Sequence, residues 1–339
     1  MFTVNGRFKS HLVTGMQRYA IEVCNRFESS PKIAHPKQPL KGIKGHLWEQ
    51  VVLPKSLKGL LWSPCNTGPI YTRRQVLTIH DLIPLDNPEW YSSQYSFLYR
   101  ALMPELIRRA EHIIAVSEYT KQRIIQIAKT DEKKITVIAN GIGDEFRPQT
   151  SENITRVTTS LGIPEGPYLL SVCSLEPRKN LARLLSAWSL VNGRGLSATL
   201  VVTGAKGRSA VFKAAQFGSI PDRVIFTGYV PDQDLPALYS GARAFVYPSL
   251  YEGFGLPVLE AAASGTQVIA SNSTSIPEVA GPSTILVDPL STSDIAAAME
   301  RVLDQPADWS AVSSGREHAR RYTWDSSAKT TEQLLLSYC

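Results

Sequence analysis

In the second half of the 339-residue chain, strand-length apolar runs alternate with segments of helical period. The runs fall at residues 168–172, 198–202, 223–226, 244–247, 267–270 and 284–287. After the first of them, Leu181, Leu184, Leu185, Trp188 and Val191 recur at spacings that place them on one stripe of a helix. Continuous apolar strands joined by helices call for parallel pairing, because crossover helices then cover both faces of the sheet.

The first half repeats the pattern more loosely. Residues 76–79, 112–116 and 135–139 read as buried strands, and Leu98, Leu102, Leu106 and Ala110 share one face of a helix over about 98–110. Residues 31–60, rich in Lys, Pro and Gly, take no assignment. A polar run at 147–153 containing Pro148 separates the two periodic regions. It sets a first domain at 1–148 and a second at 149–324, with a helical tail over 325–339. Two domains also suit the length, at about 100–200 residues each.

With 43% hydrophobic and 19% charged residues and a mean hydropathy of −0.10, the chain reads as globular, not disordered. It has no run of about 18 uncharged apolar residues to span a bilayer. The first residues carry no signal-peptide core, so the expected location is the cytosol. Cys24, Cys65, Cys173 and Cys339 are far apart and form no CxxC pair, which favours reduced, packing cysteines over a zinc site or a disulfide framework. Residues 1–150 hold 21 Lys/Arg against 13 Asp/Glu, or +8, and the remainder holds 15 against 17, or −2. A basic first half points to an anionic partner. On charge alone nucleic acid, a phospholipid surface, a phosphorylated substrate and a merely solvated basic face all stay open.

Four segments carry candidate chemistry. In Thr14-Gly15-Met16-Gln17-Arg18-Tyr19, Thr14 and Gln17 have capping-box spacing, and Met16, Tyr19, Ala20, Val23, Cys24 and Phe27 follow as a buried stripe. Gly15 leaves the backbone amides open to a ligand, although a capped helix needs none. In Glu176-Pro177-Arg178-Lys179-Asn180-Leu181, Asn180 reads as an N-cap. Two cations ahead of a positive helix end would be relieved by an anion, or else are two solvated surface charges.

The third segment, Glu252-Gly253-Phe254-Gly255-Leu256-Pro257-Val258-Leu259-Glu260, places a carboxylate on either side of free loop amides. Pro257 suits the first helical position, which puts Glu260 in the first turn. Carboxylates bind sugar hydroxyls and amides bind phosphate, while an acid near a helix start is also favourable by itself. The fourth, Ile79-His80-Asp81, ends an apolar strand, where open parallel sheets bind ligands; a lone strand-end His is also commonly structural. Thr203-Gly204-Ala205-Lys206-Gly207-Arg208 fits neither a dinucleotide loop nor a Walker loop. No cluster of His, Cys and carboxylates has metal-ligand spacing.

Together these segments resemble the family-4 retaining glycosyltransferases of GT-B fold, in particular bacterial surface-polysaccharide mannosyltransferases. Glu252 to Glu260 matches the E-x7-E motif, Arg178-Lys179 the diphosphate-binding pair, Gly15 the N-terminal glycine loop, and His80-Asp81 the His-Asp pair. Asn140-Gly141, Ser275-Ile276-Pro277-Glu278-Val279, Trp48-Glu49-Gln50 and Asn66-Thr67-Gly68-Pro69 match further segments. The family's usual double glycine is Thr14-Gly15 here, and the first domain is short before residue 60.

The resemblance implies an α/β chain of two Rossmann-like domains with parallel sheets facing a central cleft. It implies transfer of a hexose from a nucleotide diphosphate to a hydroxyl, with retention, no metal and no cofactor. Arg178, Lys179, His80 and Glu252 would be catalytic. Gly15, Gly253, Phe254, Gly255, Leu256 and Glu260 would join Arg178, Lys179 and Glu252 on the donor, with Glu252 on the sugar and Glu260 on the ribose. Gly15, Arg18, Asn66 and Asp81 would meet the acceptor. The family suggests GDP-mannose, with UDP-glucose or another hexose donor as the alternative and a sugar-nucleotide epimerase as the rival class. It also suggests a lipid-linked saccharide acceptor, and peripheral contact of the basic first domain with an anionic membrane rather than nucleic acid.

Overall fold

The computed structural model describes residues 2–40, 42–72, 74–174, 176–195, 197–204 and 220–339. Lys206 and its neighbours in the glycine-lysine segment 203–208 thus lie partly outside the described residues. Six strands come from the first part of the chain: β1 Phe2–Asn5, β2 Lys32–Ala34, β3 Leu60–Ser63, β4 Gln75–Ile79, β5 His112–Ala115 and β6 Ile135–Val137. They form one parallel sheet in the order β2-β1-β3-β4-β5-β6. Six more follow: β7 Tyr168–Val172, β8 Thr199–Thr203, β9 Val224–Gly228, β10 Ala244–Tyr247, β11 Val268–Ser271 and β12 Ile285–Val287. Their order is β12-β11-β10-β7-β8-β9, again parallel throughout.

The chain divides into two compact units, Met1–Gly141 with Tyr322–Cys339, and Ile142–Arg321. The polar run 147–153 lies inside the second unit. Just before it the Phe146 ring stands 6.1 Å from Tyr239, and Gln149 N–H donates to Ser240 Oγ at 3.2 Å.

In the second unit the stripe Leu181, Leu184, Leu185, Trp188 and Val191 lies on the helix Leu181–Asn192 and is buried against Leu169, Leu200, Val202, Val246, Ile295 and Met299. In the first unit the helix Ser93–Arg109 is rotated from the expected face. Tyr99, Met103, Leu106 and Ile107 are buried, whereas Leu98 is 37% exposed and Leu102 half-buried. Leu98 instead lines a cavity described below.

The helix Trp324–Ser337 belongs to the first unit and turns Trp324, Ser327, Ala328, Thr331 and Leu335 inward. Its Glu332 carboxylate accepts from Ser29 N–H at 2.8 Å and Glu28 N–H at 3.0 Å, and the Trp324 ring lies 6.2 Å from Tyr19. Gly141 packs directly against the start of this helix. A Cβ there would stand 2.1 Å from Trp324 N. Gly141→Ala is therefore expected to destabilise the first unit by about 3 kcal/mol, read from chemical denaturation. Among the described residues, no helix is long and apolar enough to cross a membrane.

Candidate functional site

In the second unit, β7, β10 and β11 run parallel, so the loops that follow them emerge at one end of the sheet. That end carries Arg178 and Lys179 after β7, Glu252 to Gly255 after β10, and Thr274 and Ser275 after β11. Arg178 and Lys179 sit in a single tight turn, Pro177–Lys179. They are not solvated surface cations: their side chains are only 19% and 10% exposed.

Both converge on Glu252. Arg178 Nη1 donates to its two carboxylate oxygens at 2.9 and 2.8 Å, and Lys179 Nζ donates to Oε1 at 2.7 Å. The Tyr247 hydroxyl donates to the same oxygen at 2.8 Å, and Lys179 lies 4.6 Å over the Tyr247 ring and contacts its hydroxyl. Glu176 adds a second carboxylate on Arg178 Nε.

The electrostatics follow from this contest of burial and pairing. Burial pushes the Glu252 carboxyl up, but Arg178 and Lys179 pull it down to about 2, so it is ionised. Burial pushes Lys179 down, and Glu252 only partly offsets it. Burial also works against the Arg178 charge, but Glu252 and Glu176 more than compensate and hold its pKa above the ordinary value. The expected repulsion between the two cations is thus already relieved by a carboxylate of the protein itself.

Asn180 occupies the N-cap position with φ 57°, but its side chain does not cap the helix. Its Nδ2 instead donates to the carbonyls of Pro248 and Pro289 at 2.9 and 2.7 Å, which ties three loops together. The carboxylate loop is held from beneath. Ser275 Oγ donates to the carbonyls of Glu252 and Phe254, both at 2.9 Å, and Glu252 N–H donates to Thr274 Oγ1 at 3.1 Å. Gly255 has φ 114°, and a Cβ there would meet Ile276 Cδ1 at 2.7 Å, so this glycine serves packing as well as access. Gly253 and Phe254 are buried, and Leu256 is half-buried at the helix start.

Pro257 is the second residue of the helix Leu256–Ala263, which moves Glu260 out of the first turn. Glu260 is buried and accepts from the Tyr239 hydroxyl at 3.1 Å.

The first-unit candidates are arranged differently from the expectation. His80 is buried after β4, and its Nε2 donates to the Pro64 carbonyl at 2.8 Å. That N–H is committed to the backbone and is not the donor to a substrate oxygen. Burial pushes the imidazole down to about 4, so the ring is neutral at pH 7, packed 4.8 Å from Tyr19. Asn66 is a backbone clamp at φ 59°: Oδ1 accepts from His80 N–H at 2.7 Å and Nδ2 donates to the Asp81 carbonyl at 3.4 Å. Asp81 Oδ1 accepts from Ile83 N–H at 3.3 Å. Gly15 begins the helix Gly15–Asn25 behind the Thr14/Gln17 capping box and is exposed; a Cβ would meet nothing there. Arg18, one turn on, is half-buried.

Of these, Asn66 lines a cavity of about 520 Å³ in the first unit; Gly15, Arg18, His80 and Asp81 are not among its lining residues. Its polar wall is a network that sequence reasoning did not find. Glu49, fully buried, accepts from Arg7 Nη1 at 2.8 Å, Asn5 Nδ2 at 2.7 Å and Thr67 Oγ1 at 3.1 Å. His46 Nδ1 lies 3.2 Å from Arg7 Nη1; burial and then Arg7 push its pKa down to about 4. Its exposed lining residues mix the apolar Ile43, Tyr95 and Leu98 with the polar His11, Ser92 and Gln94.

Comparison with known proteins agrees with this architecture. Residues 155–322 match the family "Glycosyl transferases group 1" and residues 61–146 match "Glycosyltransferase Family 4". O-antigen chain mannosyltransferase B of Escherichia coli is 30% identical over 268 residues, covering 78% of this chain and 70% of that protein. The serotype-specific mannosyltransferase WbdA of Escherichia coli is 34% identical over 243 residues, covering 69% of this chain, which spans 30% of WbdA. Anabaena HepE, solved in complex with UDP-glucose, superposes with a TM-score of 0.78 at 18% identity over 99% of both chains, a likeness of fold: the two-domain α/β arrangement termed GT-B.

Proposed function

The chain belongs to the group 1 and family 4 glycosyltransferases, and we propose that within them it moves mannose from GDP-mannose onto a lipid-linked saccharide, with retention, in surface-polysaccharide assembly. The observation that carries this reading is the paired Arg178 and Lys179 on Glu252, beyond the carboxyl ends of β7 and β10. In this reading the donor diphosphate meets Arg178 and Lys179, one offering a planar fork and the other a point charge. Glu252, kept ionised, accepts from the hydroxyls of the sugar, and Glu260 from those of the ribose. Loop amides at Gly253, Phe254 and Gly255, with Leu256 at the helix start, add donors toward phosphate.

As the bond from the anomeric carbon to the β-phosphate oxygen breaks, negative charge grows on the diphosphate. Arg178 and Lys179 are already in place to receive it, and no metal or cofactor is required for that task. The acceptor hydroxyl oxygen bonds to the same carbon on the face the diphosphate leaves. Its proton passes to a phosphate oxygen of the donor. No residue acts as a covalent nucleophile. Glu252 is committed to two cations, so carboxylate-pair glycosidase logic does not apply to it and Glu260.

The acceptor belongs to the first unit. Gly15, Arg18, Asn66 and Asp81 are its residues in this reading, His80 stays with the donor sugar, and the cavity that Asn66 lines supplies the polar floor of Arg7, His46 and Glu49. A buried polar floor with exposed Ile43, Tyr95 and Leu98 beside it suits a saccharide with a lipid attached. The basic first unit would work as a peripheral protein on the cytoplasmic face of an anionic membrane, with no nucleic-acid partner.

Mannose is favoured by the names of the curated relatives. UDP-glucose is the second reading, favoured by the ligand of Anabaena HepE. A thermal-shift panel of GDP-, UDP- and dTDP-sugars, followed by mass analysis of the product, decides between them. Conversion of the sugar nucleotide without an acceptor would mark an epimerase instead. In calorimetry, Glu260→Ala is expected to weaken nucleotide binding about tenfold, the loss of one or two hydrogen bonds to a charged group. An unaltered affinity removes the ribose assignment.

A further inference from the structure

The helix Gly42–Leu47 continues as a wider turn through Trp48–Val52; Trp48 packs inward on Ala34, Leu53 and Leu61, but most of the segment's aliphatic residues face out. Gly45, Glu49 and Leu53 recur every four residues on its buried side. Ile43, Leu47 and Val51 recur at the same interval on its outer side, 75%, 57% and 50% exposed, with Val52 beside them at 51%. An amphipathic helix on a globular protein turns its aliphatic residues inward. Here Glu49 is inside and the aliphatic stripe Ile43, Leu47 and Val51 is outside, the mark of a surface that meets something apolar.

The surrounding charge says what that is. Residues 31–60 contain Lys32, Lys37, Lys41, Lys44, Lys55 and Lys58 against one acid, Glu49. Glu49 is buried and spent on Arg7 at 2.8 Å, while Lys32, Lys37, Lys44, Lys55 and Lys58 are exposed. The charge that this stretch presents to solvent is therefore of one sign. An aliphatic face in a stretch whose exposed charges are all cations complements a bilayer with anionic headgroups. A second copy of the chain would bring the same positive rim against itself.

We propose that the outer face of residues 42–52 is an interfacial anchor that lies in the headgroup region of an anionic bilayer, with Leu47, Val51 and Val52 entering the acyl boundary and Lys44, Lys55 and Lys58 on lipid phosphates. This rests on the reading of the acceptor as lipid-linked. His46 and Glu49 of the same segment line the cavity of the first unit, so a lipid-borne saccharide reaches the polar floor along it.

The test is co-sedimentation of the full chain with phosphatidylcholine vesicles, with and without phosphatidylglycerol. The wild type is expected to partition onto the anionic vesicles and to come off with salt. The combined Leu47→Gln, Val51→Gln and Val52→Gln variant should lose at least about tenfold of that partitioning. Lys44→Gln, Lys55→Gln and Lys58→Gln together should lose roughly fivefold per lysine on anionic vesicles, and most of the salt dependence.

All these positions are exposed, so unchanged melting curves will show that both variants fold. Equal vesicle binding by the aliphatic variant and the wild type overturns the proposal, as does a wild type that ignores anionic vesicles. A wild-type dimer that the aliphatic variant splits, with no vesicle binding, assigns the face to a second copy. Sugar-nucleotide binding on the same samples separates the two readings: if it persists while vesicle binding fails, the anchor alone falls.

Discussion

Alanine in place of Arg178 is expected to lower kcat/KM for glycosyl transfer by about 10²–10³-fold, and alanine in place of Lys179 by a similar factor. Each removes one preorganised cation from the point where charge grows on the leaving diphosphate. Neither should unfold the second unit. With Arg178 gone, Glu252 keeps Lys179 at 2.7 Å and the Tyr247 hydroxyl at 2.8 Å. With Lys179 gone, it keeps the two-oxygen contact with Arg178 at 2.9 and 2.8 Å. The carboxylate stays paired in either case, so the loss belongs to the donor diphosphate and its transition state and not to the fold. The two effects should not add in the double variant, because both cations share one carboxylate and one ligand. Turnover unchanged in both single variants would remove the diphosphate role.

The second large effect is on stability. Glu49→Ala should destabilise the first unit by about 3–5 kcal/mol, because it strands the Arg7 charge in the interior. Arg7 is 8% exposed, and Glu49 also satisfies Asn5 and Thr67. A loss of that size lowers the melting temperature of a domain of this length by roughly 10 °C. Arg7→Met combined with Glu49→Leu should recover part of it, since the buried charge is then gone from both sides. Denaturation of the single and double variants measures this directly. A cost below about 1 kcal/mol for Glu49→Ala would mean that the pair is solvated in solution.

What could be read from the chain follows from how each part packs. The strands of the second unit are covered on both faces, so β7, β8 and β10 are continuous apolar runs and announce themselves. β1, β2 and β3 did not, because they are three or four residues long and mix polar residues into the buried sheet. Thr3, Asn5 and Ser63 are buried there, and Asn5 Nδ2 donates to Glu49 and to Ser63 at 2.7 and 3.3 Å. Residues 42–52 defied assignment because the usual relation of period to core is inverted in them.

The same distinction runs through the site. The motif segments placed Arg178, Lys179 and Glu252 by local pattern, but their joining across 73 and 74 residues of sequence left no local trace. Thr274 and Ser275, which hold the carboxylate loop, stood just before and at the start of a segment noted only for its likeness to the family. Arg7 pairs with Glu49 across 42 residues, and only the glutamate fell in such a segment. His80 and Asn66 were picked out, but their side chains turn to the backbone: one donates to Pro64 and the other accepts from His80 N–H. A residue type at a strand end tells what a side chain can bond, not which partner the fold has already given it.

The most direct measurement compares nucleoside diphosphate with monophosphate by calorimetry, GDP against GMP and UDP against UMP, in the wild type and in Lys179→Ala. If the cationic pair reads the diphosphate, the wild type binds the diphosphate of its base at least about tenfold more tightly than the monophosphate, and Lys179→Ala loses most of that preference. Equal affinity for diphosphate and monophosphate of every base, or a preference that survives Lys179→Ala intact, would contradict it.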